Sequence, residues 1–386
     1  MEYTYSFRIY PNEEQILLIA KTFGCCRFIY NYFLDYSNSN GYSSKYTNNN
    51  ICNRELKTEY PWLKEVDKFA ITNAIYNLDN AYKRYMNKLG GMPKFKKKNK
   101  GESYQTNYTN NNIEVLDNYI KLPKLGKVFA KVYRKVEGTI INATIKKYSN
   151  NKYKVMILVR KKIKKLETNS YIVGIDMGVA DLAITSDSKK YPKFESNWYE
   201  QQANKAQSRF SKRKQRALVR VRQWNHNHRD IKQELEDYSN WQKARVAKSR
   251  YQAKIANKRK DYLHKITTEL VKSYDVIVIE DLKTKNLLKN HHLAKSITNN
   301  SWYLFREMLE YKCKWYGKQL IVVKPNYTSQ ICSNCGYHSG KKPLDVREWT
   351  CPKCNTHHDR DINASINILN RGLKELRKLK KIKVRD

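Results

Sequence analysis

Four cysteines in two C-x-x-C pairs, Cys332/Cys335 and Cys351/Cys354, constrain this chain more than any other feature. Two thiolates on each of two tight turns can close a tetrahedron around one Zn2+, and four sulfurs leave no coordination position open. With fifteen residues between the pairs, the spacing predicts a structural ribbon rather than a catalytic centre. Gly336 and Pro352 suit the turns, and His357 and His358 are surplus to the tetrahedron and read as loop residues. A redox dithiol is the alternative for a lone C-x-x-C, but two pairs at this spacing argue against it. Cys25, Cys26, Cys52 and Cys313 follow no pattern and read as core or spare thiols.

Charge is the second constraint. The 386 residues carry 76 Lys+Arg against 36 Asp+Glu, a formal net charge of +40. Solubility alone needs a net charge of only ~2–8, so the excess implies a polyanionic partner. It spans the chain rather than one amphipathic helix, which favours nucleic acid over a membrane surface. Thirty tyrosines offer flat surfaces for bases, although many will be core. No stretch approaches the ~18 apolar residues of a membrane span, and "MEYTYSFRIY" lacks the apolar core of a secretion signal. The expectation is an intracellular chain without disulfides.

Along the chain, "YTYSFRIY" alternates as a strand, and Pro11 opens a helix with acids in its first turn. "PWLKEVDKFAITNAIYNLDNAYKRYMNKL" returns to helical spacing through Trp62, Val66, Phe69, Ile71, Ile75, Leu78, Tyr82 and Tyr85. The lysine-rich "GGMPKFKKKNKGES" reads as a solvated loop or a phosphate-tracking segment. Short strands dominate from Ile113 to Lys161, and the first strand can join them around the inserted helices. Residues 205–260 hold 18 Lys/Arg and 4 Asp/Glu, with Leu218, Val221, Trp224, Leu235, Trp241, Ala247 and Ile255 as an apolar stripe. This predicts a long helical hairpin that turns near "RQWNHNHRD", with one face packed and one basic. "YDVIVIEDL" and "KQLIVVKP" are buried strands around the amphipathic helix "SWYLFREMLEYKCKWYG", an order that predicts a parallel βαβ unit.

Three acids stand at element ends. Asp176 follows "YIVGI", Glu280 closes "VIVI", and Asp361 begins a helix with Ile362, Ile366, Leu369 and Leu373 at helical spacing. Parallel neighbouring strands would bring the first two to one sheet edge, where open α/β sheets place ligands. Three clustered carboxylates call for cations, and two Mg2+ ions ~3.5–4 Å apart serve phosphodiester hydrolysis. Each acid also has a plain reading: a turn residue, a solvated strand end, a helix N-terminal acid. Asp181 and Asp359 are the rivals, read as a hairpin residue and a cap.

At these residues the chain closely resembles the TnpB family of transposon-encoded RNA-guided DNA endonucleases, relatives of type V CRISPR effectors. The matching stretches are "YPNEEQ", "PWLKEVDKFA", "GESYQTNYTNNN", "GIDMGVADLAITSD", "ANKRKDYLHK", "VIEDL", "YTSQICSNCG" and "WTCPKCNTHHDRDINASINI". They run in order over nearly the whole chain. The resemblance implies an α/β multidomain protein. Its RuvC-like nuclease domain of RNase H fold spans 166–328 and 357–386, with a zinc ribbon inserted at 329–356. A β-rich wedge domain spans 1–10 and 112–165, and a helical recognition lobe is inserted at 11–111. The family's catalytic triad falls on Asp176, Glu280 and Asp361, and its zinc ligands fall on the four ribbon cysteines. Asn53, Lys68, Thr72 and Thr109 fall in segments that read a short DNA motif beside the target. The implied partners are a guide RNA and double-stranded target DNA, with sequence choice left to base pairing. The implied cofactors are two catalytic Mg2+ and one structural Zn2+. The expected form is a monomer in the RNA complex, in the cytoplasm at the nucleoid. A guided binder that does not cut, a stand-alone junction nuclease and a transposase are the competing readings.

Overall fold

A computed structural model describes residues 1–98, 101–228, 230–282, 301–343 and 345–383, with side chains to 378. Parts of the predicted lysine run (99–100), nuclease segment (283–300) and ribbon (344) lie outside the described residues. The chain divides into two compact units. The first holds Met1–Lys162 and Tyr238–Ser249; the second holds Ile163–Asp237 and Arg250–Asp386.

The first unit is built on a seven-stranded antiparallel sheet. Its strands are β1 (Glu2–Tyr10), β2 (Ser103–Asn107), β3 (Glu114–Val115), β4 (Tyr119–Leu122), β5 (Gly126–Lys131), β6 (Thr139–Lys147) and β7 (Tyr153–Arg160), in the order β2-β6-β7-β1-β5-β4-β3. Alternation in β1 buries Tyr5, Phe7 and Ile9 on one face. The strand pairs with β7 from Glu2↔Arg160 to Ile9↔Tyr153, so the first residues of the chain lie mid-sheet. Four helices are inserted after it: α1 (Glu13–Asn40), α2 (Lys45–Ile51), α3 (Lys57–Glu59) and α4 (Lys68–Met86). Asn12 and Gln15 close a reciprocal capping box on α1. Gln15 Nε2 also donates to the carbonyls of Leu125 and Lys127, tying the helix start to β5. Helix and sheet share one core, in which Cys25, Cys26 and Cys52 are buried free thiols. The helix expected from residue 61 begins instead at Lys68, capped by Asp67. Residues 61–64 form a short 3-10 turn that leaves Trp62 at the surface, and Tyr85 is exposed as well.

The second unit carries a five-stranded mixed sheet: β8 (Ile172–Asp176), β9 (Asp181–Thr185), β10 (Lys190–Pro192), β11 (Val276–Glu280) and β12 (Gln319–Val323), in the order β10-β9-β8-β11-β12. β8, β11 and β12 are parallel. The apolar runs of β8 and β11 are buried on both faces, while β12 at the sheet edge leaves Val322 exposed. Ile277 and Ile279 pack with α6 (Ser239–Ser273) and α7 (Trp302–Tyr316), and Val278 packs with Ile368 of α8 (Arg360–Lys383). Between β10 and α6 runs α5 (Asn197–Asn227), of which only Ala206 and Ala217 are buried. Leu218, Val221 and Trp224 are half-exposed, so the packed stripe expected there does not form. A helix this rich in Lys and Arg has too few apolar positions to bury a face. No helix of the described residues is long and apolar enough to cross a membrane.

α8 lies directly on the sheet. A Cβ added to Gly174 in β8 would sit 2.2 Å from Ser365 O and 2.5 Å from Leu369 N; one added to Gly372 would sit 2.3 Å from Val278 Cγ2. Backbone meets backbone there, and no side chain fits between. Gly174→Ala should therefore force α8 off β8 and cost ~1–3 kcal/mol or more, read as a lower melting temperature by calorimetry. An unchanged melting temperature would mean the two elements can separate freely.

Candidate active site and metal knot

β8 and β11 run in register, Ile175 level with Ile279, and each ends one residue later in an acid, Asp176 and Glu280. Asp361 stands in the first turn of α8, the helix that crosses β8 at Gly174. Burial pushes the Asp176 carboxyl up to about 8, and the charges of Glu280 and Asp361 add to the rise. Glu280 is buried, which raises its pKa, while Thr328 and Arg371 work the other way. Thr328 Oγ1 donates to Glu280 Oε1 at 2.6 Å. Asp361 Oδ2 accepts from Arg347 Nη1 at 3.2 Å. Glu280 and Asp361 are near enough to Asp176 to oppose its ionisation, but the three sets of oxygens do not all lie within 4.8 Å of one another; among the described residues only the cysteines form so tight a group. An oxygen-only donor set suits Mg2+, so these residues fit a divalent cation.

The rival acids have other work. Asp359 Oδ1 caps α8 by accepting from the amides of Asp361 (2.9 Å) and Ile362 (3.1 Å), and its Oδ2 pairs with Lys190 at 2.8 Å. Burial opposes its ionisation, but Lys190 and the two amides outweigh it and hold it below the usual carboxylate range. Asp181 opens β9 in the hairpin after β8.

The four cysteine sulfurs lie within 4.8 Å of one another. Cys332 and Cys354 are 3.7 Å apart, and Cys335 and Cys351 are 3.6 Å apart. A tetrahedron with Zn–S bonds of ~2.3 Å has edges of ~3.8 Å, so the cluster is compatible with a structural zinc. Each C-x-x-C turn is followed by a residue at positive φ, Gly336 (76°) and Asn355 (54°). The Thr356 hydroxyl and amide hold the Cys354 thiol below its usual range, which favours the thiolate. The two histidines are not loop residues. They lie on β14 (His357–Asp359), paired with β13 (Glu348–Thr350). His358 is buried with Nε2 3.0 Å from Cys332 Sγ, placed to donate to that sulfur.

The sequence reading missed how the knot is joined to the acids. Asn363, Asn367 and Arg371 form an i, i+4, i+8 stripe on α8. Asn363 bonds Ile331 O and Ser333 N; Asn367 bonds Thr328 O and Ile331 O; Arg371 bonds the carbonyls of Lys324 and Asn326. The segment from β12 into the knot is thus fastened along α8, and it carries the threonine that holds Glu280. The signal was present as polar residues at four-residue spacing beside the apolar stripe of an amphipathic helix. Of the proposed nucleic-acid contacts, Lys68 and Thr109 line one cavity of about 440 Å3 with Lys57, Lys64 and Lys124. Asn53 and Thr72 do not line it; Asn53 accepts from Lys57 at 2.6 Å, and Thr72 donates to Lys68 O at 3.2 Å.

A protein of Streptomyces pristinaespiralis named "Putative RNA-guided DNA endonuclease" is 32% identical over 96% of this chain and 89% of its own length. The chain belongs to the TnpB family. An Escherichia coli K12 protein of like name is 29% identical over 95% of this chain and 92% of its own. Residues 302–368 match the family described as "Cas12f1-like, TNB domain", which spans α7, β12 and the metal knot of this TnpB-family chain. Residues 154–291 match "Probable transposase", and residues 1–45 match "Helix-turn-helix domain". In this structure residues 2–10 are a strand and 13–40 one continuous helix, so the latter description does not fit the geometry. In fold, the chain resembles a Cas12f1 complex with single-guide RNA and target DNA, at TM-score 0.58, 15% identity and 96% and 99% coverage of the two chains. It also resembles the mini-RNA-guided endonuclease Cas_phi3, at TM-score 0.50, 9% identity and 96% and 92% coverage.

Two outcomes are expected. Cys351→Ser should lose bound zinc and lower the melting temperature, since a structural metal contributes folding energy; metal analysis and calorimetry that match the unaltered chain would remove the zinc assignment. Between its ordinary value of 3.8 and about 8, folded Asp176 free of cations keeps a proton that the unfolded chain releases. Stability from this group therefore falls as pH rises through that window. Asp176→Asn should raise the melting temperature more at the alkaline end than at the acid end, and added Mg2+ should stabilise the unaltered chain most at the alkaline end. A response flat across the window would contradict the geometry.

Proposed function

We propose that this protein is an RNA-guided DNA endonuclease that holds a guide RNA, reads a short motif beside the target and cleaves both DNA strands at one acidic site. The observation that carries this reading is the convergence of Asp176 and Glu280, at adjacent parallel strand ends, with Asp361 on the helix lying across them. Two Mg2+ ions held by these carboxylates would supply charge neutralisation and water activation at a phosphodiester. The chain's own residues do the positioning. Thr328 holds one Glu280 oxygen, Asn367 holds the Thr328 carbonyl, and Asp359 caps the turn that presents Asp361.

In this reading the five-stranded sheet with α6, α7 and α8 is the RuvC-like domain (166–328 and 357–386), and residues 329–356 are its zinc ribbon. The seven-stranded sheet is the wedge domain (1–10 and 112–165), and the helices of 11–111 are the recognition lobe. Lys68 and Thr109, which share a lysine-lined cavity, read the adjacent motif, with Asn53 and Thr72 nearby in sequence. The net charge of +40 holds guide, heteroduplex and displaced strand by their phosphates, while pairing selects the target. One protein copy acts per guide RNA, in the cytoplasm. The relatives named as RNA-guided DNA endonucleases support this reading.

Asp176→Ala should abolish cutting of a guide-matched plasmid in Mg2+ and leave guided binding intact, read by gel and by filter retention. Cutting that survives the substitution would show that the acids are misassigned. Stable guided binding by the unaltered chain with no cutting would favour a binder.

A further inference from the structure

The lysine run and the aromatic turn before α4 play no part in the acidic site. The lysine run and α1 border a groove of about 460 Å3, and the aromatic turn packs on its Phe28. Gly24, Arg27, Phe28, Asn31 and Asp35 line it from one face of α1, and Phe95 lines it from the lysine run. Gly24 lies mid-helix, where glycine costs stability relative to alanine. A Cβ there would meet nothing within 4 Å, so no packing within the fold demands a glycine. Arg27 is half-buried yet makes no hydrogen bond or ion pair among the described residues. Phe95 is 51% exposed but is held in place. Asn31 grips the next residue, donating to Lys96 O at 3.0 Å and accepting from Lys96 N at 2.8 Å, and Lys96 Nζ lies 3.9 Å from the Tyr30 ring centre. Phe28 meets Trp62, itself 40% exposed, edge to face at 5.0 Å.

A smooth floor, ordered exposed rings and an unpaired guanidinium describe a site for a flat ligand that carries an anion. The geometry points to an unpaired nucleotide, its base against Phe28 and Phe95 over Gly24 and its phosphate at Arg27. Asp35, two helical turns beyond Arg27, disfavours a second phosphate at that end and can accept a base N–H. Lys94, Lys97 and Lys98 flank Phe95 in sequence and extend the positive field along a continuing strand. A protein partner would gain little from this charge. The proposal rests on nucleic acid as the partner and does not depend on the acidic site.

The test uses the full chain carrying Asp176→Ala, so that the probe is not cut and cleavage plays no part in the readout. The probe is a short single strand containing 5-iodouracil, as RNA and as DNA, each alone and annealed to its complement. After irradiation, crosslinked peptides are mapped by mass spectrometry. The expected crosslinks fall on Phe28, Trp62 or Phe95 from either single strand, and are weaker from the duplexes. Phe95→Ala and Gly24→Leu should each lower that yield at least ~5-fold, the effect of losing one stacked base, with the melting temperature of Phe95→Ala unchanged. Crosslinks only elsewhere, or full yield in both variants, would overturn the proposal. So would self-association in sedimentation that Phe95→Ala abolishes, which would assign the groove to a second copy of the chain. Absence of plasmid cutting by the unaltered chain would leave this readout untouched.

Discussion

The contact between α8 and β8 at Gly174 is the constraint from which the second unit's geometry follows. Helix and strand backbones touch because no Cβ intervenes. Gly372 repeats the device two turns beyond Ser365, against Val278 of β11. With the helix seated at both places, its first turn can carry Asp361 only to the end of the sheet where β8 and β11 finish. The Asn363–Asn367–Arg371 stripe then fastens the segment leaving β12, and that segment delivers Thr328 to Glu280. The metal knot follows on the same segment, and its arm returns to α8 through Arg360 N to Arg347 O at 2.8 Å. The knot thus closes a loop whose two ends are both anchored beside the acids.

The electrostatics run against the chain's overall character. A protein of net charge +40 gathers three acids at one place, where burial opposes the ionisation of Glu280, and burial with the charges of its neighbours raises Asp176 to about 8. The nearby cations do not cancel this cluster. Arg347 pairs with Asp361 and Lys190 with Asp359, while Asp176 gains chiefly from the Met177 amide. A global positive field suits polyanions; a local cluster of carboxylates suits divalent cations. The two occupy different length scales, since surface charge is screened within ~8–10 Å in physiological salt, and so they need not conflict.

Local chemistry made much of this legible. β-branched runs ending in an acid announced β8 and β11, Pro11 with acids behind it announced α1, and two cysteine pairs announced the knot, because each is a short-range pattern with one favoured geometry. What was misread depended on neighbours. Trp62 and Tyr85 looked like core from their spacing but are exposed: a 3-10 turn rephases the approach to Lys68, and Tyr85 sits in the last turn of α4. The stripe on α5 met the periodicity test and still lies half-exposed. His357 and His358 looked idle until strand pairing turned one of them onto Cys332.

By itself the sequence determined the elements, the ligand types and the charge: which segments are strands, which four sulfurs are available to one metal, and a net charge of +40 that suits a polyanion. These follow from side-chain period, from thiolate chemistry and from counting. Only the tertiary structure decided that acids 104 and 81 residues apart share one sheet edge, that Asp359 caps while Asp361 faces the site, and that an asparagine stripe couples the knot to Glu280. Those outcomes rest on the close approach of α8 to the sheet, a long-range packing event in which the decisive residues are glycines, whose role lies in the side chain they lack.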